Sequence, residues 1–196
     1  MGEHRKRVKH LHQRGDLHEF TFSCYRRLPL LTNDTWRAAL SDAIGRACER
    51  FDFQLVAFVF MPEHVHLLTL PTGEEPAFDR FLAMIKRPVS AAVKSVLLQS
   101  DSPLLAKLTV RERPGKTAFR FWQEGPGYDR NLRSEEAILA SIDYIHANPV
   151  RRRLCRQPID WFWSSAAWYA ADGEVQDPQL PPLSRLPSEF GWRASR

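Results

Sequence analysis

The chain has 196 residues, 43% of them hydrophobic, a net charge of +5 and a pI near 9.4. That length buries one good core and at most a small appendage. No apolar run approaches a membrane span, so no membrane partner is expected and a soluble, cytoplasmic protein is. Cys24, Cys48 and Cys155 are odd in number and far apart, which excludes a disulfide framework and a zinc ribbon.

In chain order, residues 1–16 read as a basic arm, with Arg5, Lys6, Arg7, Lys9 and Arg14. Leu17 to Cys24 alternates as a strand does. Asn33 and Asp34 can cap a helix in which Trp36, Leu40, Ile44, Ala47 and Phe51 recur at helical spacing. Phe53 to Phe60 is apolar on both faces, the pattern of a central strand. Met61-Pro62-Glu63 then turns the chain into a second strand over 64–70. In a strand alternate side chains share a face, so His64 and His66 point the same way and Val65 the other. Two neutral imidazoles side by side can bind a divalent metal; two strand histidines bonded to neighbours would give the same string.

A helix is expected from about Ala77 to Leu98, with Phe78, Phe81, Ile85, Val89, Val93 and Val96 inward and a kink at Pro88. Lys86, Arg87 and Lys94 fall outside that stripe. Residues 106–122 predict a hairpin around Arg113-Pro-Gly-Lys116. Ser134 caps a third helix, with Glu135 and Glu136 at its positive end, and Pro149 ends it at Asn148. Residues 151–196 are rich in Arg, Pro and Trp and read as a tail over the domain or a ligand. This order suggests an α+β domain, a ferredoxin-like antiparallel sheet with helices on one face.

On the third helix Ile138, Ile142 and Ile145 form the inward stripe. Tyr144 lies outside it, and Tyr144 and Asn148 are an i, i+4 pair and so neighbours in space. A rim aromatic and a helix-end Asn would look the same. The basic clusters Lys86-Arg87, Arg111 to Arg120 and Arg151-Arg152-Arg153 favour a polyanion partner.

Several strings now come together: Met61-Pro-Glu-His-Val-His66, Phe121-Trp-Gln123 with Tyr128-Asp129, Asp143-Tyr-Ile-His-Ala-Asn-Pro-Val150, and Asp160-Trp-Phe-Trp-Ser-Ser165. In order and spacing they resemble the single-tyrosine HUH transposases, and most of all the REP-associated tyrosine transposases. The resemblance spans about residues 17–168 and marks 17–150 as the HUH nickase domain. It implies Tyr144 as nucleophile, His64 and His66 as metal ligands, and Asn148 where relatives carry a Gln or Asn ligand.

The implied activity is a metal-dependent single-stranded DNA endonuclease and strand transferase acting at REP-like hairpins through a 5′-phosphotyrosine. Its cofactor would be Mg²⁺ or Mn²⁺, the latter suiting a mixed imidazole and amide set better. Its partner would be single-stranded or hairpin DNA, bound by a monomer or homodimer. Lys86, Arg87, Arg120, Arg151, Arg152 and Arg153 are the candidate phosphate contacts, and Trp122 a candidate stacking platform or else a core residue. Tyr128 competes for the nucleophile role, but lies in a Gly-Pro-Gly turn context. His146 reads as structural. The rival functions are a hydrolytic metal nuclease and a non-catalytic nucleic-acid binder, such as a repressor or a domesticated transposase.

Overall fold

The structure, a computed structural model, describes residues 15–125 and 127–186; the basic cluster at 5–14 lies outside them. Its elements are β1 (Leu17–Ser23), α1 (Asp34–Phe51), β2 (Phe53–Phe60), β3 (His64–Pro71), α2 (Phe78–Gln99), α3 (Pro103–Leu108), β4 (Thr109–Arg113), β5 (Lys116–Phe119), β6 (Tyr128–Leu132), α4 (Glu135–Arg151) and α5 (Ala166–Ala170). The main sheet has the order β2-β3-β1-β6, antiparallel throughout, with β4 and β5 as a separate ribbon. This is the ferredoxin-like arrangement, and the fourth strand is β6 rather than either strand of the hairpin.

Alternation along the strands builds two cores. Phe20, Phe22, Phe58, Phe60, Val65 and Leu67 face α1 and α2, meeting Leu40, Ile44, Phe81, Ile85, Val89 and Val93. On the other side Leu17, Val56, Val59, Leu68 and Leu70 meet Ile138, Ile142 and Ile145 of α4. The one-faced layer therefore holds for α1 and α2, while α4 covers the opposite face. The strands are apolar on both sides over part of their length, and each exposed Leu or Val would forfeit about 1.5–3 kcal/mol.

Three local expectations change. First, β2 is an end strand of the sheet, not a central one. Its apolar edge is nevertheless closed: Phe60 N–H donates to Trp163 O, Ser165 N–H to Phe58 O and Ser184 N–H to Leu55 O. Residues after 150 thus pack on the domain and satisfy the ladder groups a missing strand would have taken. Arg37 of α1 clamps this segment, its guanidinium 5.3 Å from the Trp161 ring and 5.8 Å from that of Trp163. Second, Val96 faces outward at 49% exposure and Leu97 takes the inward place, keeping the i, i+4 spacing from Val93.

Third, α4 does not stop at Asn148. It runs through Pro149 to Arg151 and ends where Arg153 adopts a left-handed φ of 58°. A proline in the last turn removes one hydrogen bond but does not break the helix, because Arg152 N–H still donates to Asn148 O. That extra turn matters for the site.

Candidate active site

The sheet's polar patch lies under α4. Antiparallel pairing sets Thr21 opposite His66 and Ser23 opposite His64, so the imidazoles and the odd-numbered residues of β1 share one face. Both histidines are buried, and their ring centroids are 5.0 Å apart. Such groups need partners, and each has one. Nδ1 of His64 is 3.0 Å from Glu63 Oε1, and Arg152 donates to that same carboxylate oxygen at 2.8 Å. Nδ1 of His66 is 2.9 Å from Thr21 Oγ1 and 3.5 Å from Glu19 Oε1. Ser141 Oγ of α4 donates to the other Glu19 oxygen at 3.0 Å.

Burial, and then the neighbouring His66, push His64 down to about 4, with Glu63 opposing. At neutral pH its ring is uncharged, the form a metal takes. Burial raises the Glu19 carboxyl, but hydrogen bonds from His66 and Ser141 outweigh it and hold the group below its ordinary value. Glu63 is likewise raised by burial but brought lower still by Arg152 and His64. Both remain anionic behind the imidazoles.

The helix supplies the other wall. Ser141, Tyr144, Asn148 and Arg151 fall three, four and three residues apart, on one face of a helix that continues past Pro149. The Tyr144 ring meets His66 edge-on with centroids 5.5 Å apart, and the Arg151 guanidinium lies 5.3 Å over the phenol ring. The Asn148 amide donates to the carbonyl of Tyr144 at 2.9 Å. A cavity of about 520 Å³ opens beside this group, lined by Glu19, Thr21, His66, Tyr128, Arg130, Ala140, Ser141 and Tyr144.

Does this donor set suit a divalent ion? Nδ1 of each ring faces a carboxylate, which leaves Nε2 on both as donors backed by an acid, a common outer shell for metal-bound histidine. Among the described residues no three His, Cys, Asp or Glu side chains converge as a metal cluster. The imidazole pair is of the kind such an ion takes, and an amide oxygen such as that of Asn148, one turn after Tyr144, is a donor of a compatible kind.

The remaining basic residues divide into two groups. Arg151, Arg152 and Arg153 are exposed at the end of α4, beside the site. Lys86, Arg87 and Arg120 line a separate groove that also takes in Trp122. There Lys86, desolvated to a pKa of about 8, lies 4.7 Å over Phe22, and Arg120 binds Glu112 and Glu124. Trp122 is only 7% exposed and packs edge-on against Phe22 and Phe121. Its indole N–H donates to Lys86 O. Its surroundings are mostly those of a core residue, with a small exposed part at the groove.

Sequence reasoning missed Glu19, Glu63, Thr21, Ser141 and Arg130, and weighed Tyr128 only as a rival nucleophile. For Glu19 a signal existed, since an acid inside an otherwise apolar strand needs a reason.

Residues 16–95 match the family described as Transposase IS200 like. A Haemophilus influenzae protein provisionally named a REP-associated tyrosine transposase is 26% identical over 160 residues, 78% of this chain and 80% of its own length. The REP-associated tyrosine transposase of Escherichia coli (strain K12) is 27% identical over 141 residues, covering 71% and 69%. A solved REP-associated tyrosine transposase bound to a REP hairpin shares the fold, with a TM-score of 0.65 and 23% identity over 97% of this chain and 99% of its own. Over residues 16–95 the chain is thus similar to the IS200-like transposases, on a ferredoxin-like sheet. Over most of its length it is similar to the REP-associated tyrosine transposases. Among the described residues no helix is long and apolar enough to cross a membrane.

Proposed function

We propose that the protein nicks and rejoins single-stranded DNA at hairpin-flanking sites of the REP kind, through a 5′-phosphotyrosine on Tyr144. The observation that carries this reading is the 5.5 Å approach of the Tyr144 ring to His66, itself next to His64. Tyr144 and His66 come from different elements, far apart in sequence, and line one cavity. The hairpin-bound solved relative supports hairpin DNA as partner.

An unperturbed phenol has a pKa of about 10 and is a weak nucleophile. Tyr144 Oη would attack phosphorus in line, losing its proton. The P–O3′ bond breaks, the 3′ oxygen takes up a proton, and the 5′ phosphate stays on the tyrosine. An incoming 3′-OH reverses the step without ATP. His64, His66 and Asn148 would hold Mg²⁺ or Mn²⁺, which supplies charge compensation on the phosphoryl oxygens. Arg151, over the phenol, is placed to hold the adjoining phosphate. Glu19 and Glu63 fix the two rings. Arg152 and Arg153 extend the positive surface along the strand's path.

The test is a covalent adduct between the protein and a 3′-labelled hairpin oligonucleotide with single-stranded flanks, resolved on a denaturing gel with Mn²⁺ or Mg²⁺. Tyr144→Phe should lower adduct yield by about 1,000-fold or more, and His64→Ala should lower it strongly. Nicking that persists in Tyr144→Phe points instead to a water-using nuclease. Tight binding without nicking under any divalent ion points to a domesticated binder.

A further inference from the structure

We infer that β6 is the platform on which the nucleic-acid strand lies, with the Tyr128 ring stacking a nucleobase beside the reacting phosphate and Arg130 holding the backbone. This rests on the reading of the site given above and names residues that reading does not use.

Alternation along β6 puts Tyr128 and Arg130 on the α4 side of the sheet, while Asp129 between them pairs with His18 on the other side. Both line the cavity that holds His66 and Tyr144. Tyr144 comes from the helix and Tyr128 from the sheet, so a strand lying there has an aromatic ring on each wall. Tyr128 is 57% exposed, an aromatic face open to water at the rim of a polar cleft. Among the described residues the β6 strand is the last of its sheet.

The backbone is built to deliver this side chain. Gly127 has φ +79°, and a Cβ there would fall 2.4 Å from the carbonyl oxygen of Thr21. No other residue fits, and the turn that it closes sets Tyr128 directly opposite Thr21, the partner of His66. The glycine turn that seemed to disqualify Tyr128 is what carries it into the site.

An exposed ring with a neighbouring guanidinium is the usual means of binding single strands, stacking for the base and charge for the phosphate. Arg130 is also electrostatically coupled to Glu19, which joins the platform to the acid behind His66.

The test uses a single-stranded thymidine oligonucleotide with one 2-aminopurine, its position scanned, bound to the full chain carrying Tyr144→Phe so that nothing is cut. Fluorescence should be quenched on binding. Adding Tyr128→Ala should remove the quenching and weaken binding roughly 5- to 100-fold, and Tyr128→Phe should restore both. Arg130→Ala should lower the slope of log affinity against log salt by roughly 0.7. Unchanged quenching and affinity in Tyr128→Ala overturn the platform. So does Tyr128→Phe behaving like alanine, which would assign the role to the hydroxyl. Loss of the covalent adduct in Tyr128→Phe, in the otherwise native chain, would make this tyrosine the nucleophile and also overturn it. Because the fluorescence readout needs no cleavage, the platform stands or falls apart from the nickase chemistry.

Discussion

On one face of the sheet β1 and β3 present Phe20, Phe22, Val65 and Leu67; on the other the same strands present Glu19, Thr21, His64 and His66. Both sets are buried apart from the half-buried Thr21, yet their energetics differ. The first needs only apolar neighbours. The second must satisfy every polar atom it hides, and does so through a chain running from Arg152 to Glu63 to His64, and from Ser141 to Glu19 to His66. A strand's period of two lets one segment serve as scaffold on one side and as site on the other. The site therefore inherits the rigidity of the core behind it.

The sharpest way to test that division is a pair of substitutions with opposite signatures. Phe81 is fully buried and stacks on Phe53 with centroids 4.1 Å apart. Phe81→Ala should cost about 3–5 kcal/mol in denaturant unfolding. Tyr144, 42% exposed, should lose the covalent adduct on conversion to Phe while stability changes by less than about 0.5 kcal/mol. Comparable destabilisation in both would mean that the two faces are one structural unit.

Much of this was legible in the sequence, for a physical reason. The bounds of β1, β2 and β3 and the caps of α1 and α4 follow from period-two runs and from Asn33 and Ser134, whose side chains do accept the first-turn N–H groups. The site was legible as far as it lay in local patterns, His64 with His66 and Tyr144 with Asn148. What was not legible depended on long-range pairing. β6 has a polar sequence, Tyr-Asp-Arg-Asn-Leu, and becomes a strand only because β1 offers it a ladder. Glu19 has meaning only once His66 and Ser141 are brought to it, from 47 and 122 residues away. The two-sided layering likewise requires knowing which helix returns to which face.

A second, smaller test concerns the apolar margin of the site face. His146 of α4 sits against the Tyr169 ring at 5.0 Å and 2.8 Å from Ser165 Oγ, and burial lowers its pKa from 6.5 to about 4. The unfolded chain takes up this proton near pH 6.5 while the folded one refuses it. Its contribution is therefore complete above pH 6.5 and is lost as pH falls toward 4, by about 3 kcal/mol in total. Unfolding midpoints measured across this window should drop, and His146→Phe should flatten that part of the curve. An unchanged slope in the variant would assign the acid sensitivity elsewhere.

The smallest expected effect lies where the two faces' logic meets, at Glu19. Its carboxylate links β1, β3 and α4 on the site side, receiving Ser141 Oγ at 3.0 Å and standing 3.5 Å from His66 Nδ1. Glu19→Gln keeps shape and removes charge, so any loss reports the acid behind the imidazole rather than packing. In metal sites such outer partners are worth about 10–100-fold in affinity, and Mn²⁺ titration of the variant by calorimetry should show a loss of that order. Stability gives an independent check. The folded carboxyl is held below its ordinary 4.5, so its stabilisation is present above that pH and disappears as pH falls through the folded value. Glu19→Gln should remove this acid limb while leaving the one belonging to His146. If Mn²⁺ affinity is unchanged while the acid limb disappears, Glu19 is a structural acid and His66 is oriented by Thr21 alone.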